Sequence, residues 1–466
     1  MLFSSVLFLF RFLPVVFVVY YLLPGRWKNF WLLVSSLFFY AWGEPRYFPI
    51  MMASILVNYV AARLMARWRR RPALRSAAFW ISFVFTIGWL LFFKYTDFFI
   101  SNWNTLTGMQ VPPLFGGKMT LPLGISFYTF QILSYTIDVY LGKVEAERSF
   151  IDFGTFVTLF PQLIAGPIVT YTDVRRELHR RTVTAEMLGD GVRLFILGLG
   201  SKVLLANNIG ALWDTVAARG FMQSSSALCW MALIAFAFQI YFDFSGYSLM
   251  AIGLGKALGF QFPKNFDYPY ISRSVTEFWR RWHMTLSSWF REYVYIPLGG
   301  NRRGRMRQVF NIFVVWFLTG FWHGASWLFV LWGLYYGVLL MIEKLFLLRW
   351  LEKSQILSRI YLIGCVLFGW AIFGVGMLGG GSLQTLGELL RGMFSSAGGT
   401  DWIYYLRSYG GILVLCVFFS TPALRWMYER LQRQKWLVTG FLALVLVVSV
   451  AYLVDATYNP FLYFNF

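Results

Sequence analysis

Val309-Phe-Asn-Ile-Phe-Val-Val-Trp-Phe-Leu-Thr-Gly-Phe321 runs through Trp-His-Gly-Ala-Ser into Trp327-Leu-Phe-Val-Leu-Trp-Gly-Leu-Tyr-Tyr-Gly-Val-Leu-Leu-Met-Ile342. No Asp, Glu, Lys or Arg interrupts it. Apolar runs of this kind belong in hydrocarbon about 30 Å thick. They recur from end to end: Phe3–Leu22, Phe30–Trp42, Phe48–Met65, Ala77–Phe93, Leu121–Tyr140 and Phe153–Ile168 fill the first third. Beyond them lie Gly191–Leu205, Ala227–Phe242, Ser245–Phe260, Ile360–Met377, Gly411–Ala423 and Leu437–Leu453. Several are too short to span alone, which predicts re-entrant or tilted pieces packed within protein. The expected fold is an all-α polytopic integral membrane protein.

Composition agrees. Of 466 residues, 58% are hydrophobic, 21% aromatic and 13% charged, too apolar for an ordinary soluble enzyme. The net charge of +20 comes from 41 Lys and Arg against 21 Asp and Glu. These cations do not form a nucleic-acid surface, because they sit in short clusters between apolar runs, as cytoplasmic loops require. Arg67–Arg75, Arg175–Arg181, Arg302–Arg307 and Arg425–Lys435 mark such loops. Ser101–Thr120 and Gly379–Ser408 are poor in charge and are expected outside, together with both termini. The reading is a multi-pass protein of the bacterial inner membrane, forming one integral unit over 1–466, with core motifs at about 121–344 and an aromatic tail at 455–466. The run at Phe3–Leu22, interrupted by Arg11, reads as a retained helix rather than a signal peptide. Cys229, Cys365 and Cys416 lie in apolar runs without Cys-x-x-Cys spacing, so no disulfide or zinc framework is implied. There is no P-loop, no dinucleotide fingerprint and no cluster of metal ligands to be expected, so nucleotide-driven and metal chemistry lack support.

Three histidines carry the possible acid–base chemistry. His179 falls in a basic loop and reads as a solvated surface residue. His323 lies inside an apolar run, where an ionisable group is expensive unless it faces a cavity or partner. It is either functional or a neutral imidazole hydrogen-bonded to a neighbouring helix. Gly320 and Gly324 form a G-x-x-x-G pair, which predicts close helix packing there. His283 belongs to Glu277–Tyr293, whose periodicity predicts one amphipathic helix, read as a whole as lying on the bilayer interface with its basic side toward anionic lipid. Trp279, Trp282, His283, Leu286, Trp289, Phe290 and Tyr293 share its apolar face; Arg280, Arg281, Ser288, Arg291 and Glu292 take the other. A histidine on that apolar face either polarises a substrate or satisfies a buried carbonyl. In Tyr241–Ser248, Asp243 needs a cationic partner, for which Arg280 and Arg281 are the expected candidates. Ser245 lacks the G-x-S-x-G surround of a nucleophile elbow.

The stretch Asn265-Phe-Asp-Tyr-Pro-Tyr-Ile-Ser-Arg-Ser-Val-Thr-Glu-Phe-Trp-Arg-Arg-Trp-His283 resembles the membrane-bound O-acyltransferases, in their bacterial alginate O-acetyltransferase branch. The likeness continues through Tyr295-Ile-Pro-Leu-Gly-Gly-Asn-Arg302 and Trp322-His323-Gly324, and takes in Phe160–Pro167, Tyr241–Gly255 and the opening Phe3–Phe10. Leu249 and Tyr336 depart from it, standing where such members often carry Asp and His. The resemblance implies a ring of transmembrane and re-entrant helices around a central funnel and tunnel. His323 would be the catalytic histidine and His283 a second, supporting one, with Trp322, Asp243, Ser245, Arg280 and Arg281 around them. It further implies acetyl-CoA as donor with no bound cofactor or metal, a periplasmic SGNH-type acetyltransferase partner, and a polysaccharide assembly complex. The acceptor would be alginate-type exopolysaccharide, with peptidoglycan or cellulose as alternatives. The tail Tyr458–Phe466 resembles the ending of a small partner peptide in teichoic-acid D-alanylation, which makes Tyr463 a candidate acyl acceptor; the competing reading is an aromatic anchor at the membrane interface. A transporter or a scaffold without catalysis are the competing readings. A transporter commonly shows a repeated half, which this sequence lacks, and a scaffold needs neither buried histidine.

Overall fold

The computed structural model describes residues 2–117, 120–395, 399–431, 433–455 and 462. Every regular element among them is helical. Eight helices among the described residues are long and apolar enough to cross a membrane. The chain divides into two compact units, Met1–Phe195 with Met250–Pro263, and Ile196–Leu249 with Lys264–Leu462.

The first unit carries α1 (Leu13–Leu22), α2 (Gly25–Gly43), α3 (Phe48–Arg67), α4 (Pro72–Thr107), α5 (Ile125–Leu141), the short α6 (Phe150–Thr158) and α7 (Phe160–Leu163), and α8 (Tyr171–His179). Proline stands in the first turn of α1, α3 and α4, where its missing N–H costs nothing. Polar side chains fasten α3 to α4: Asn58 donates to the Thr86 hydroxyl at 2.9 Å and accepts from Ser82. The run expected at Phe153–Ile168 breaks at Leu159, where the backbone leaves the helical region before Pro161. Ser101–Thr120, expected as an outer loop, is helical up to Thr107, because the α4 pattern extends past the apolar stretch.

α9 (Ala185–Gly200) continues through a wide turn, Ser201–Ala206, into α10 (Asn207–Arg219). α11 (Ser226–Ala257) joins the two runs expected at Ala227–Phe242 and Ser245–Phe260 into one helix. The polar Asp243–Ser245 step looked like a break; in the structure it lies within the helix, and a buried cation accommodates Asp243 there.

The second unit adds α12 (Val275–Arg281), α13 (Met284–Phe290), α14 (Arg305–His323), α15 (Trp327–Ile342), a wide turn at Glu343–Leu347, α16 (Leu348–Leu351), α17 (Gln355–Met377), α18 (Leu383–Phe394), α19 (Asp401–Phe419), α20 (Ala423–Leu431) and α21 (Lys435–Asp455). Gly379–Ser408, expected as a loop, therefore holds α18 and the first turns of α19. α19 and α21 leave most of their apolar side chains uncovered, as helices facing lipid do.

α14 and α15 meet backbone to backbone. A Cβ on Gly320 would come within 2.3 Å of the Phe329 carbonyl oxygen, and one on Gly333 within 2.3 Å of the Trp316 carbonyl. The glycine at 320 thus makes the close approach its motif predicts, and Gly324 makes room for the Phe329 ring. A Gly320→Ala protein is expected to lose about 1–3 kcal/mol, because a carbonyl cannot move aside as a side chain can. Its melting temperature in detergent should fall by several degrees, whereas Gly364→Ala, where nothing lies within 4 Å, should melt like the parent.

Candidate active site

Glu277–Tyr293 is not one helix. α12 is capped by the Ser274 hydroxyl, which accepts from the Glu277 amide at 3.0 Å, and it ends at Trp282. His283 then turns left-handed at φ 44°, ψ 53°, and α13 restarts at Met284. A non-glycine residue held there costs on the order of 1–3 kcal/mol, so the surroundings must fix it. They do, because the extended stretch at Asn265–Asp267 hydrogen-bonds across the break. The Asp267 amide donates to the Arg281 carbonyl and the Met284 amide to the Asn265 carbonyl, each at 2.9 Å. Hydrophobic periodicity could not show this break, because the burial pattern survives it. Trp279, Trp282, His283, Leu286, Trp289 and Phe290 are buried, while Arg280, Ser288, Arg291 and Glu292 are exposed.

His283 is 2% exposed. Its Nδ1 lies 3.1 Å from the Asn265 Oδ1. The Asn265 amide nitrogen donates to Ser248 at 3.0 Å and its Oδ1 also accepts the Thr285 hydroxyl at 2.9 Å. Asn265 is thereby oriented with its oxygen toward the ring, so His283 carries its proton on Nδ1 and presents Nε2 as a buried lone pair. That Nε2 has no partner among the described residues. Burial holds the imidazole far below its usual range, at about 3, so the ring is neutral.

His323 closes α14 and is 4% exposed. Its ring sits edge-on to Trp332 at 5.0 Å and Phe373 at 5.2 Å between centroids. Trp322 links the two histidines, with its ring 4.9 Å from His323 and 6.3 Å from His283. Phe244 packs edge-on against His283 at 4.6 Å. The structure therefore gathers His283, His323 and Trp322 in one buried aromatic cluster, where low polarity strengthens polar contacts.

Asp243 departs from expectation. Its partner is Lys202, with Nζ 2.5 Å from Oδ1 and both side chains at most 2% exposed. Arg281 instead pairs with Glu277 at 3.0 Å and with Asp267, and Arg280 is exposed. The apolar face of α12 points inward, which turns those guanidiniums away from the core. Lys202 was legible as a lone cation in an apolar run. The other Asp243 oxygen accepts the Leu462 amide at 2.9 Å, so the C-terminal tail reaches a carboxylate adjacent in sequence to Phe244. Tyr463 itself lies outside the described residues. Ser245 is buried, and no hydrogen bond among the described residues joins it to either histidine.

His179 is exposed as expected, but it is engaged. Its Nδ1 lies 2.8 Å from the Arg175 carbonyl and its Nε2 3.2 Å from the buried Glu147 carboxylate, with Asp152 nearby. Glu147 already accepts the Arg148 and Ser149 amides and the Tyr171 hydroxyl.

An Asn265→Ala protein is expected to keep its fold but lose roughly tenfold to a hundredfold in turnover, the usual effect of removing a group that orients an imidazole. Turnover compared at equal melting temperature checks this.

The structure thus brings two buried histidines to a common aromatic neighbour, Trp322, with one of them at the Trp-His-Gly end of α14. Residues 143–377 match the sequence model of the membrane-bound O-acyltransferase family, and this chain belongs to that family of O-acyltransferases. It is 40% identical to the "Probable alginate O-acetylase AlgI" of Azotobacter vinelandii, over 80% of this chain and 75% of that protein. It is 30% identical to the "Peptidoglycan O-acetyltransferase" of Helicobacter pylori over 100% of this chain and 98% of that one. The "Teichoic acid D-alanyltransferase" of Streptococcus thermophilus is 29% identical over 54% of this chain and 63% of its own.

Proposed function

We propose that this O-acyltransferase moves acetyl groups from cytoplasmic acetyl-CoA across the inner membrane for O-acetylation of an extracytoplasmic polysaccharide, alginate-type first. The observation that supports the chemistry is the buried aromatic cluster joining His323, through Trp322, to a neutral His283 held by Asn265. His323 acts as general base. It takes the proton of an attacking hydroxyl while the oxygen bonds to the thioester carbonyl carbon. The carbon–sulfur bond then breaks, and the thiolate leaves with that proton as free thiol. The dry surroundings keep the thioester from hydrolysis and strengthen contacts to the developing oxyanion. His283 orients the acceptor or the carbonyl through its Nε2.

The relatives named for alginate and peptidoglycan support a polysaccharide acceptor, and alginate leads because identity to those relatives is higher. A periplasmic SGNH-type acetyltransferase completes delivery. The hydrogen bond from Leu462 to Asp243 supports a role for the tail, with Tyr463 taking the acetyl group as an ester before the partner collects it. A Tyr463→Phe protein is then expected to reach normal membrane abundance and transfer no acetate. Normal acetylation by it would remove the tail from the reaction.

The acceptor is identified by deleting the gene and measuring ester acetate separately in alginate, cellulose and peptidoglycan fractions. The proposal expects loss confined to one fraction, alginate first. Unchanged acetate in all three would overturn it in favour of transport or scaffolding.

A further inference from the structure

The α15–α16 junction opens a cleft of about 300 Å³ that the acyl-transfer chemistry does not use. It is built where α15 loosens into the five-residue wide turn Glu343–Leu347, a helix distortion that recurs at functional sites. The turn sends Glu343 inward. Its two carboxylate oxygens each accept a backbone amide at 2.7 Å, from Val275 and Thr276 at the start of α12. With its oxygens committed there, Glu343 does not neutralise the cations on the cleft wall. Arg305, Lys344 and Arg349 line it, all exposed, and none of the three has a carboxylate within 4.0 Å among the described residues.

Apart from Gln308 and the committed Glu343, the rest of the wall is apolar. Leu345 and Phe346 line the cleft and are each 56% exposed, an arrangement that suits hydrocarbon rather than water. Three cations over an apolar slope at the end of a membrane-crossing helix match one kind of occupant, a phosphate with acyl chains attached. Guanidinium groups grip phosphate oxygens in pairs, and the chains lie along the apolar side. A soluble phosphate would use the cations and leave the slope bare.

We propose that the Arg305–Lys344–Arg349 cleft is a binding site for the headgroup of an anionic phospholipid. Glu343 connects it to the reaction centre, because the helix whose first amides it holds ends at the break that carries His283. An occupied cleft braces that helix from its far end.

The test uses the full-length protein in phosphatidylcholine nanodiscs doped with phosphatidylglycerol, with lipid retention read by native mass spectrometry. Arg305→Gln/Lys344→Gln/Arg349→Gln is expected to lower phosphatidylglycerol retention on the order of a hundredfold, about fivefold for each cation. Arg69→Gln/Arg70→Gln/Arg71→Gln removes the same charge from another exposed loop and is expected to retain the lipid. Equal losses in the two variants, or none in either, would overturn the proposal. So would retention of glycerol phosphate as strong as that of the intact lipid, which would assign the cleft to a soluble phosphate.

Discussion

Cells carrying His323→Ala at parental membrane abundance are expected to lose ester acetate from the acceptor polysaccharide by a hundredfold or more. A positioned general base contributes about a hundredfold to ten-thousandfold, and the ring is enclosed by Trp322, Trp332 and Phe373, so no water reaches in easily to replace it. The fold should survive, because Ala fits the last turn of α14 and Gly320 and Gly333 still hold that helix to α15. His283→Ala should cost less if, as proposed, it orients the substrate, and its loss should fall on substrate affinity as well as turnover. A His323→Ala protein that kept its acetylation would make the residue packing, and the transport or scaffold reading would stand.

The largest stability effect is expected at Lys202. Lys202→Met strands the Asp243 carboxylate where it is 2% exposed, and breaking a buried pair from one side costs about 3–5 kcal/mol. The protein should then be recovered poorly from membranes or melt far below the parent in detergent. Lys202→Met with Asp243→Asn removes both charges and should regain most of the loss. The asparagine keeps an oxygen for the Leu462 amide, so the tail contact can persist. If the double substitution were as damaging as the single one, the ion pair would not be what sets stability here.

The sequence made the helical, membrane-spanning character plain, since runs such as Trp327–Ile342 allow little else, and it marked His323 because an ionisable group there needs a reason. The inward face of the His283 segment was also legible. What was not legible depended on contacts between residues distant in sequence. Asn265 holds the break at His283 from 18 residues away, and Lys202 meets Asp243 across 41. Arg280 and Arg281 were the nearest cations in the motif, but helical geometry turned them outward. Local hydropathy likewise divided α11 at Asp243, because it registers the charge and not the cation that offsets it.

Permeabilised cells with their other envelope machinery intact, given acetyl-CoA labelled in its acetyl group, offer the decisive comparison between the parent chain and His323→Ala. Alkali-labile label accumulating in polysaccharide with the parent, and only background with His323→Ala, is the predicted result. Equal label in the two would contradict acyl transfer at His323.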